Sequence, residues 1–486
     1  MNNIEELNVF CVPDSIEFTQ FQSKTVITRD RTYILKFPVI TGEELKGIIQ
    51  QVQSNRDQYL STLSITDIVE KIDLAVQKWL NPDYPLRKLA ESLIPVMTGY
   101  DEEMVRLQLK RYIRTFRKKE LLRFLDEEFD QPAMLDEFRP RKSGGMSRAF
   151  GPRTIFHVFS GNVPGVQVWS LIMGLLVKSG NIGKTSMSEP LFPVLFTESL
   201  AEVDKKLAET IAVLPWKGGS DELEDPAVEK CEAVIVYGSN ETVEKIRVKV
   251  PLHKKFLSYG HKISFAYIGK EALTSDLYYE TIKKLAEDVC IYDQQSCLSP
   301  QTIYVEEGGV ISGKQFAQML GAELERYHKK RPRAKLTNEE SMAIQRARSH
   351  YQLESLQHEN VSVLSSQTDT SWTVIYHKET GFEGSPLNRF VHVFSVESEE
   401  SVFSAIKPYQ QYLQSCGLAV SPDRLFSLAN QLGAYGVNRI CSIGEMNQAK
   451  PGWHHDGRFN LLDLVRMTDI EMNVEQNAER YDTDFE

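Results

Sequence analysis

The sequence has little cysteine and no paired cysteine motif. Its six cysteines, in a chain of 486 residues, include no CxxC pair, which argues against both a disulfide framework and a zinc site. A long hydrophobic run is also missing. The longest apolar stretch, 166–177, contains Gln167 and Gly174 and is too short to cross a bilayer. Residues 1–6 lack the basic and apolar regions of a signal peptide. We therefore expect a reduced, cytoplasmic enzyme.

A surplus of positive charge is missing as well. The formal net charge is −11, and no basic stripe alternates with aromatic residues, so nucleic acid is not an expected partner. The hydrophobic and charged fractions, 41% and 25%, are typical of a globular protein. A chain of this length exceeds one compact core, so we expect two or three domains.

The pattern along the chain predicts an α/β protein with a parallel sheet. Short strands lead into a helix from about Gly42, helices fill 60–130, and the Arg-, Ser- and Gly-rich segment 139–151 is interpreted as a connector. From residue 152 onward strands alternate with helices, including one helix predicted over about 192–212. Such alternation indicates parallel strands joined by crossover helices. A second α/β unit is predicted over about 270–440.

Three turns in the α/β region carry candidate binding residues, and ligands of such sheets bind at the carboxyl ends of strands. The first turn, 160–165, contains Asn162, although an Asn here also suits an ordinary turn. The dinucleotide fingerprint GxGxxG is absent. A Walker A loop is also absent, because Lys178 stands where that loop would need a glycine. The second and third turns contain lysine, hydroxyl groups and glycine, which suit the binding of phosphate or ribose. The alternative is that both are ordinary exposed turns. The candidate binding residues are Lys184, Thr185, Ser186, Gly238 and Ser239.

The fourth turn carries Cys297. A helical segment precedes it, a strand over 302–305 follows, and its neighbours are Gln, Ser and Pro rather than apolar residues. A structural cysteine is usually buried among apolar side chains, whereas a nucleophile must meet its substrate. The sequence therefore favours Cys297 as a nucleophile.

A further polar segment, 452–458, contains His454, His455 and Asp456. Adjacent histidines point apart on regular elements and no third ligand motif is evident, so we predict no metal site. The segment is interpreted as a loop that lines a pocket, with His455 as a candidate proton donor.

These turns, in this order, resemble those of the aldehyde dehydrogenase superfamily. More closely, they resemble its LuxC-type branch, the fatty acyl-CoA reductases of bacterial luminescence operons. The matching stretches cover roughly residues 145–470: 159–164, 184–186, 288–297, 386–389 and 455–457. The resemblance implies two Rossmann-like α/β domains with parallel sheets plus an N-terminal helical region. It also implies a domain division at 1–150 (N-terminal region joined to the cofactor domain), 151–268 (nicotinamide cofactor), 269–440 (catalytic) and 441–486 (a segment that lines the active site and returns to the cofactor domain).

The resemblance also implies roles for single residues. Cys297 would be acylated, and Asn162 with the backbone N–H of Cys297 would form the oxyanion hole, while Cys290 would be structural. The expected cofactor is NADPH, bound by a set of residues at the strand ends: Lys184, Thr185, Ser186, Gly238, Ser239, Ser258 and Gly260.

Two departures from the superfamily pattern shape the expected activity. Ser258 stands where hydrolytic relatives carry the Glu of a Glu-Leu-Gly-Gly-Lys run, and Pro386 stands where a second Glu usually contacts the nicotinamide ribose. Loss of the water-activating carboxylate favours acyl reduction over hydrolysis. Loss of the second Glu leaves the nicotinamide-ribose contact unassigned.

The resemblance therefore implies an NADPH-dependent oxidoreductase, related to luminescence, that converts a long-chain fatty acyl thioester into a fatty aldehyde through a thioester intermediate. The acyl donor would be acyl-CoA or an acyl-protein. An acyl-protein synthetase would be a partner protein, and copies of this chain would form a homo-oligomer. Two alternatives stay open, a CoA-acylating aldehyde dehydrogenase for a shorter aldehyde and a non-redox cysteine acyltransferase.

Overall fold

The computed structural model describes residues 4–484. By its internal contacts the chain divides into two compact units. The first contains the residues up to Met97, those from Gln108 to Gly260, and those from Lys450 onward; the second contains Thr98–Leu107 and His261–Ala449. Among the described residues, no helix is both long enough and apolar enough to cross a membrane.

The N-terminal part begins with a small sheet of order β1-β3-β2, in which β3 pairs parallel with β1 and antiparallel with β2. Its strands are β1 (Ile4–Asn8), β2 (Phe21–Ile27) and β3 (Thr32–Pro38). Five helices follow, as predicted for 42–130: α1 (Gly42–Gln58), α2 (Ile65–Leu80), α3 (Pro85–Thr98), α4 (Glu102–Arg114) and α5 (Lys118–Glu128). Ser64 caps α2 by accepting a hydrogen bond from Asp67 N, a role that serine side chains favour at the start of helices.

The interpretation of 139–151 as a connector was wrong. The segment forms β4 (Arg139–Pro140) and β5 (Met146–Phe150), and β5 pairs antiparallel with β18 (Arg466–Ile470) to give the order β18-β5-β4. Burial alternates along β5, where Ser147 and Ala149 are buried between half-buried residues, as in a strand with one covered face. The strand was missed because its main partner lies more than 300 residues away.

The first unit is built on a five-stranded parallel sheet of order β10-β9-β6-β7-β8. Its strands are β6 (Thr154–Val158), β7 (Gly180–Thr185), β8 (Ile211–Pro215), β9 (Ala233–Tyr237) and β10 (Lys255–Tyr259). The connecting helices are α6 (Val166–Leu176), α7 (Leu191–Ala201), α8 (Lys205–Ala208), α9 (Asp221–Lys230) and α10 (Asn240–Arg247). The single helix predicted over 192–212 was wrong, because α7 ends at Ala201 and β8 follows α8. The residues of β8 are fully buried, so no alternation marks the strand.

The second unit is built on a seven-stranded sheet of order β13-β14-β15-β12-β11-β16-β17, parallel except for the pair β13 and β14. Its strands are β11 (Ile263–Ile268), β12 (Pro300–Glu306), β13 (Val361–Ser365), β14 (Thr373–His377), β15 (Phe390–Val396), β16 (Leu413–Ala419) and β17 (Arg439–Ser442). Its helices are α11 (Tyr278–Cys290), α12 (Gly313–Lys330), α13 (Asn338–Gln357), α14 (Glu399–Ile406) and α15 (Pro422–Ala434). A last helix, α16 (Met472–Ala478), follows β18 in the first unit.

Candidate active site

Asn162 lies in the loop that follows β6, where its side chain is exposed. Gln167, buried in the first turn of α6, holds both ends of this loop. Its Nε2 donates to Ser160 O at 3.0 Å, and its Oε1 accepts from Gly165 N at 3.0 Å. Gln167 Nε2 also lies 3.3 Å from Oε2 of the buried Glu189. The backbone that carries Asn162 is therefore fixed by a buried amide.

Lys184 and Thr185 end β7 rather than lying in the predicted turn, and Ser186 follows them. Lys184 is buried, and burial lowers the pKa of its ammonium group. Ser186 Oγ lies 2.8 Å from Ser188 Oγ. A Cβ on Gly161 would stand 2.1 Å from Ser188 Oγ, so a larger residue there would displace the serine hydroxyl where the two loops approach each other.

Two buried polar atoms near the carboxyl ends of β7 and β8 have no hydrogen-bond partner in residues 4–484. They are Thr185 Oγ1 and Trp216 Nε1. Nearby, a Cβ on Gly218 would meet Lys184 Nζ at 3.5 Å. Buried polar groups are normally paired, so an indole N–H, a hydroxyl and an ammonium group in this region fit a ligand rich in oxygen acceptors. Sequence reasoning missed Trp216, because nothing in its local pattern marks an unpaired indole.

Gly238 and Ser239 lie between β9 and α10, as predicted. Gly238 N donates to Tyr259 O at 3.2 Å, and Ser239 Oγ accepts from Thr242 N at 3.3 Å. The Ser239 hydroxyl therefore caps α10. The unpaired N–H groups of a helix start attract anions, and the cap places them beside the strand end.

Ser258 and Gly260 lie at and just after the end of β10. Ser258 is half-buried between buried Leu257 and Tyr259. A Cβ on Gly260 would lie 2.7 Å from Asn240 Oδ1. Both predicted residues therefore share the carboxyl edge of the sheet with Gly238.

His455 is part of a stack of four rings. The ring centroids of Tyr237 and Tyr259 are 4.7 Å apart, those of Tyr259 and His455 are 4.2 Å apart, and those of His455 and Trp453 are 4.6 Å apart. The His455 side chain is 14% exposed. Its role as a proton donor stays a prediction. No group of metal-binding side chains occurs among the described residues.

Cys297 is half-buried in the turn between α11 and β12, the placement that its flanking residues predict. Ser264 Oγ donates to Cys297 O at 2.6 Å, which anchors the backbone of the nucleophile candidate to β11. All six cysteines are thiols. Burial raises the pKa of the other five thiols, to about 12 at Cys290 and to about 11 at Cys441.

The segment 386–389 lies directly before β15 and contacts the residues that lead to Cys297. Gln295 Nε2 donates to Asn388 Oδ1 at 3.2 Å, and Phe390 N donates to Gln294 Oε1 at 3.0 Å. Two stretches that match the LuxC-type pattern, about 90 residues apart in the chain, therefore meet in the second unit.

A protein-family model matches most of this chain. The model of the family described as "Acyl-CoA reductase (LuxC)" matches residues 60–467. This chain belongs to that family. Among its relatives, the long-chain acyl-protein thioester reductase of Vibrio harveyi is 27% identical over 418 residues, 85% of this chain and 84% of the relative. That of Photobacterium phosphoreum is 24% identical over 440 residues, 90% and 85% of the two chains.

The fold of this LuxC-family chain is that of aldehyde dehydrogenases, as predicted. A benzaldehyde dehydrogenase structure from Corynebacterium glutamicum superposes with a TM-score of 0.68 at 11% identity, covering 94% of this chain and 96% of the other. A pyrroline-5-carboxylate dehydrogenase from Mycobacterium tuberculosis gives a TM-score of 0.70 at 12% identity, covering 96% and 90%. The predicted fold class and family are confirmed.

Proposed function

We propose that this protein is an NADPH-dependent reductase that takes a long-chain acyl group from a thioester onto Cys297 and releases it as an aldehyde. The observation that carries the proposal is the position of Cys297. It lies half-buried in the polar turn between α11 and β12, and Ser264 Oγ holds its backbone carbonyl at 2.6 Å. The substrate class follows the names of the relatives, which are long-chain acyl-protein thioester reductases.

In the first step the Cys297 thiolate attacks the carbonyl carbon of the thioester. A new C–S bond forms to Cys297, the old C–S bond breaks, and the donor leaves as a thiol after taking up one proton. The oxygen of the tetrahedral intermediate carries a negative charge that N–H donors stabilise by about 3–4 kcal/mol each. By family resemblance we assign this role to the Asn162 side chain and the backbone N–H of Cys297.

In the second step Cys297 holds the acyl group as a thioester until its carbonyl carbon is reduced. A nicotinamide cofactor held by the first unit would supply a hydride, two electrons in all, to this carbonyl carbon. Cys297 would then carry the oxyanion of a thiohemiacetal. Its C–S bond breaks as the aldehyde carbonyl forms, and the thiolate is restored. Because Ser258 replaces the carboxylate that would activate water, the Cys297 thioester should survive long enough to be reduced.

The first unit fits a nicotinamide dinucleotide at the carboxyl edge of its sheet. The unpartnered Thr185 Oγ1 and the Lys184 ammonium group suit ribose or phosphate oxygens. The start of α10, with Gly238 and Ser239, suits the pyrophosphate. Ser186, Ser258 and Gly260 complete the set that we assign to the cofactor.

We assign NADPH rather than NADH because no carboxylate stands at Met187. The superfamily places a Glu there, near the adenosine ribose, where it repels a 2′-phosphate. Here Met187 is exposed. Glu224, which influences the pKa of Lys184, is itself paired with Lys249 at 3.1 Å, so its charge is compensated. The cationic Lys184 then favours the additional phosphate.

The acyl donor is acyl-CoA or an acylated partner protein, and we extend the proposal to an acyl-protein synthetase as that partner.

The proposed function is tested by following NADPH oxidation across a panel of acyl-CoA chain lengths while the aldehyde is quantified. Oxidation that increases with chain length, with one aldehyde formed per NADPH, supports the proposal. Acyl transfer without NADPH oxidation would indicate the non-redox acyltransferase instead.

A further inference from the structure

Two short segments of the second unit have a backbone conformation that residues other than glycine rarely adopt. One directly precedes the Cys297 turn and the other directly precedes β15. Each segment has three consecutive residues with φ between 49° and 68°: Tyr292, Asp293 and Gln294 in the first, and Leu387, Asn388 and Arg389 in the second. Each such residue is strained, and such strain persists only where the surroundings hold it.

A buried ion pair joins the two strained segments. Arg389 Nε lies 2.8 Å and Arg389 Nη2 lies 2.7 Å from Asp293 Oδ1, and each side chain is 1% exposed. The contacts of Gln294 with Phe390 and of Gln295 with Asn388 run alongside the pair. Each segment therefore provides the surroundings that hold the other.

One atom of each side chain in the pair also contacts a third segment. Asp293 Oδ2 accepts from Ala334 N at 2.9 Å, and Arg389 Nη2 donates to Arg331 O at 3.1 Å. The guanidinium group also lies 5.3 Å from the ring centroid of Tyr327. Arg389 Nη1 has no hydrogen-bond partner among the described residues. The other charged atoms of the pair each have a partner, which favours one fixed geometry for the pair.

Gln294 connects the strained segments to the far end of the Cys297 turn through two hydrogen bonds. Its Oε1 accepts from Phe390 N, while its Nε2 donates to Pro300 O at 2.7 Å, where β12 begins. One side chain thus closes the turn 295–299 and ties it to β15. We propose that the Asp293–Arg389 pair and Gln294 are positioning residues that set the direction of the Cys297 thiol for acyl transfer.

This inference rests on the proposed function, but its experiment separates the two. The assay mixes protein with a long-chain acyl-CoA in the absence of NADPH, stops with acid, and follows the acyl adduct by intact mass. Adduct formation on the wild type tests the proposed function. The ratio of variant to wild-type rate tests the positioning.

The variants are Arg389→Met and Gln294→Met. Misplacing a reacting group by about 1 Å costs about 10²-fold in rate, so both should acylate about 10²-fold more slowly. The acyl-CoA concentration at half-maximal rate should stay unchanged. Iodoacetamide, a small reagent with no bound orientation, should still label Cys297 in both variants, which shows that the thiol remains accessible.

A matched control is Arg424→Met in the same unit. Arg424 lies 2.7 Å from Glu306 and 3.0 Å from Glu271, and these partners lie outside both strained segments. This variant should lower the melting temperature while its acylation rate stays at the wild-type value. If Arg389→Met does not fold, Gln294→Met decides, because it leaves no charge unpaired. A folded Gln294→Met or Arg389→Met variant that acylates at the wild-type rate would overturn the inference.

Discussion

At the residue scale, burial separates Cys297, which is half-buried, from Cys290, which is buried. Cys290 lies seven residues earlier, at the end of α11, where burial raises the pKa of its thiol to about 12. A thiol that stays protonated at neutral pH is a poor nucleophile. The distinction could be predicted from sequence, because polar residues flank Cys297 and a helix carries Cys290.

Cys297→Ala should therefore abolish both the acyl adduct and aldehyde production. Cys290→Ala should retain both and lose about 1 kcal/mol of stability from packing. Intact mass after incubation with acyl-CoA, without NADPH, distinguishes the two variants. An acyl adduct that persists on Cys297→Ala would show that another residue is the nucleophile.

A substitution at Ser258 tests whether the wild type lacks a general base at this position. Ser258→Glu restores a carboxylate at the end of β10, where hydrolytic relatives carry theirs by resemblance. A positioned general base accelerates proton transfer by about 10²–10⁴-fold, so the variant should release free fatty acid from the acylated enzyme faster than the wild type. Release is measured without NADPH, with Ser258→Gln as the uncharged control. Equal hydrolysis by wild type and Ser258→Glu would contradict the assigned position.

Met187 tests the cofactor assignment. Two negative charges about 4 Å apart repel by about 1–4 kcal/mol near a protein surface. Met187→Glu should therefore weaken NADPH binding and leave NADH binding nearly unchanged, with Met187→Gln as the control. Cofactor fluorescence gives both dissociation constants without turnover. A wild-type enzyme that prefers NADH would refute the assignment before any variant is made.

At the scale of elements, a buried carboxyl with a pH-dependent role, that of Glu189, lies just before α7. Glu189 Oε1 accepts from Leu191 N at 3.0 Å and from Phe192 N at 2.9 Å. Burial raises the pKa of Glu189 to about 7 even though these two N–H groups lower it. The folded state therefore holds a proton on Glu189 at pH values where the unfolded chain has released it.

The sign of the pH effect follows. Because the pKa of Glu189 is higher in the folded state than in the unfolded chain, its contribution to folding stability is largest at pH values below the unfolded pKa. This contribution declines as the pH rises toward about 7. The total change is about 3 kcal/mol. Glu189→Gln should remove this part of the decline, so its melting temperature should change less between pH 5 and pH 7.5. An unchanged pH dependence in the variant would contradict the raised pKa.

Asp288 contributes a change of the same sign and must be considered in that comparison. Burial raises the pKa of this carboxyl to about 7, although it accepts hydrogen bonds from Gly444 N and from Met446 N at 3.1 Å. The decline should therefore be reduced in Glu189→Gln rather than abolished.

Local sequence signals predicted some elements and missed others. The helix before Cys297 and the strand after it were predicted because their patterns are contiguous. Strand β5 was missed because it becomes a strand by pairing with β18. The stack of His455 on Tyr259 and the pair of Asp293 with Arg389 each join residues about 100 to 200 positions apart, and no local pattern encodes such contacts.

At the scale of the whole molecule, the residues to which we assign the chemistry belong to two units. The cofactor candidates lie at strand ends of the first unit, and Cys297 with its strained segments lies in the second. Family membership and fold could be predicted because the turns occur in the family's order. The predicted domain boundaries and the roles of the site residues remain predictions.

The central claim is that Cys297 carries an acyl group that is reduced to an aldehyde. The most direct measurement is a single turnover in which protein acylated by a long-chain acyl-CoA is separated from excess donor and mixed with NADPH. We predict that the acyl mass disappears from Cys297 while one aldehyde forms and one NADPH is oxidised per adduct. An adduct that persists in NADPH, or that is released only as free fatty acid, would contradict the account.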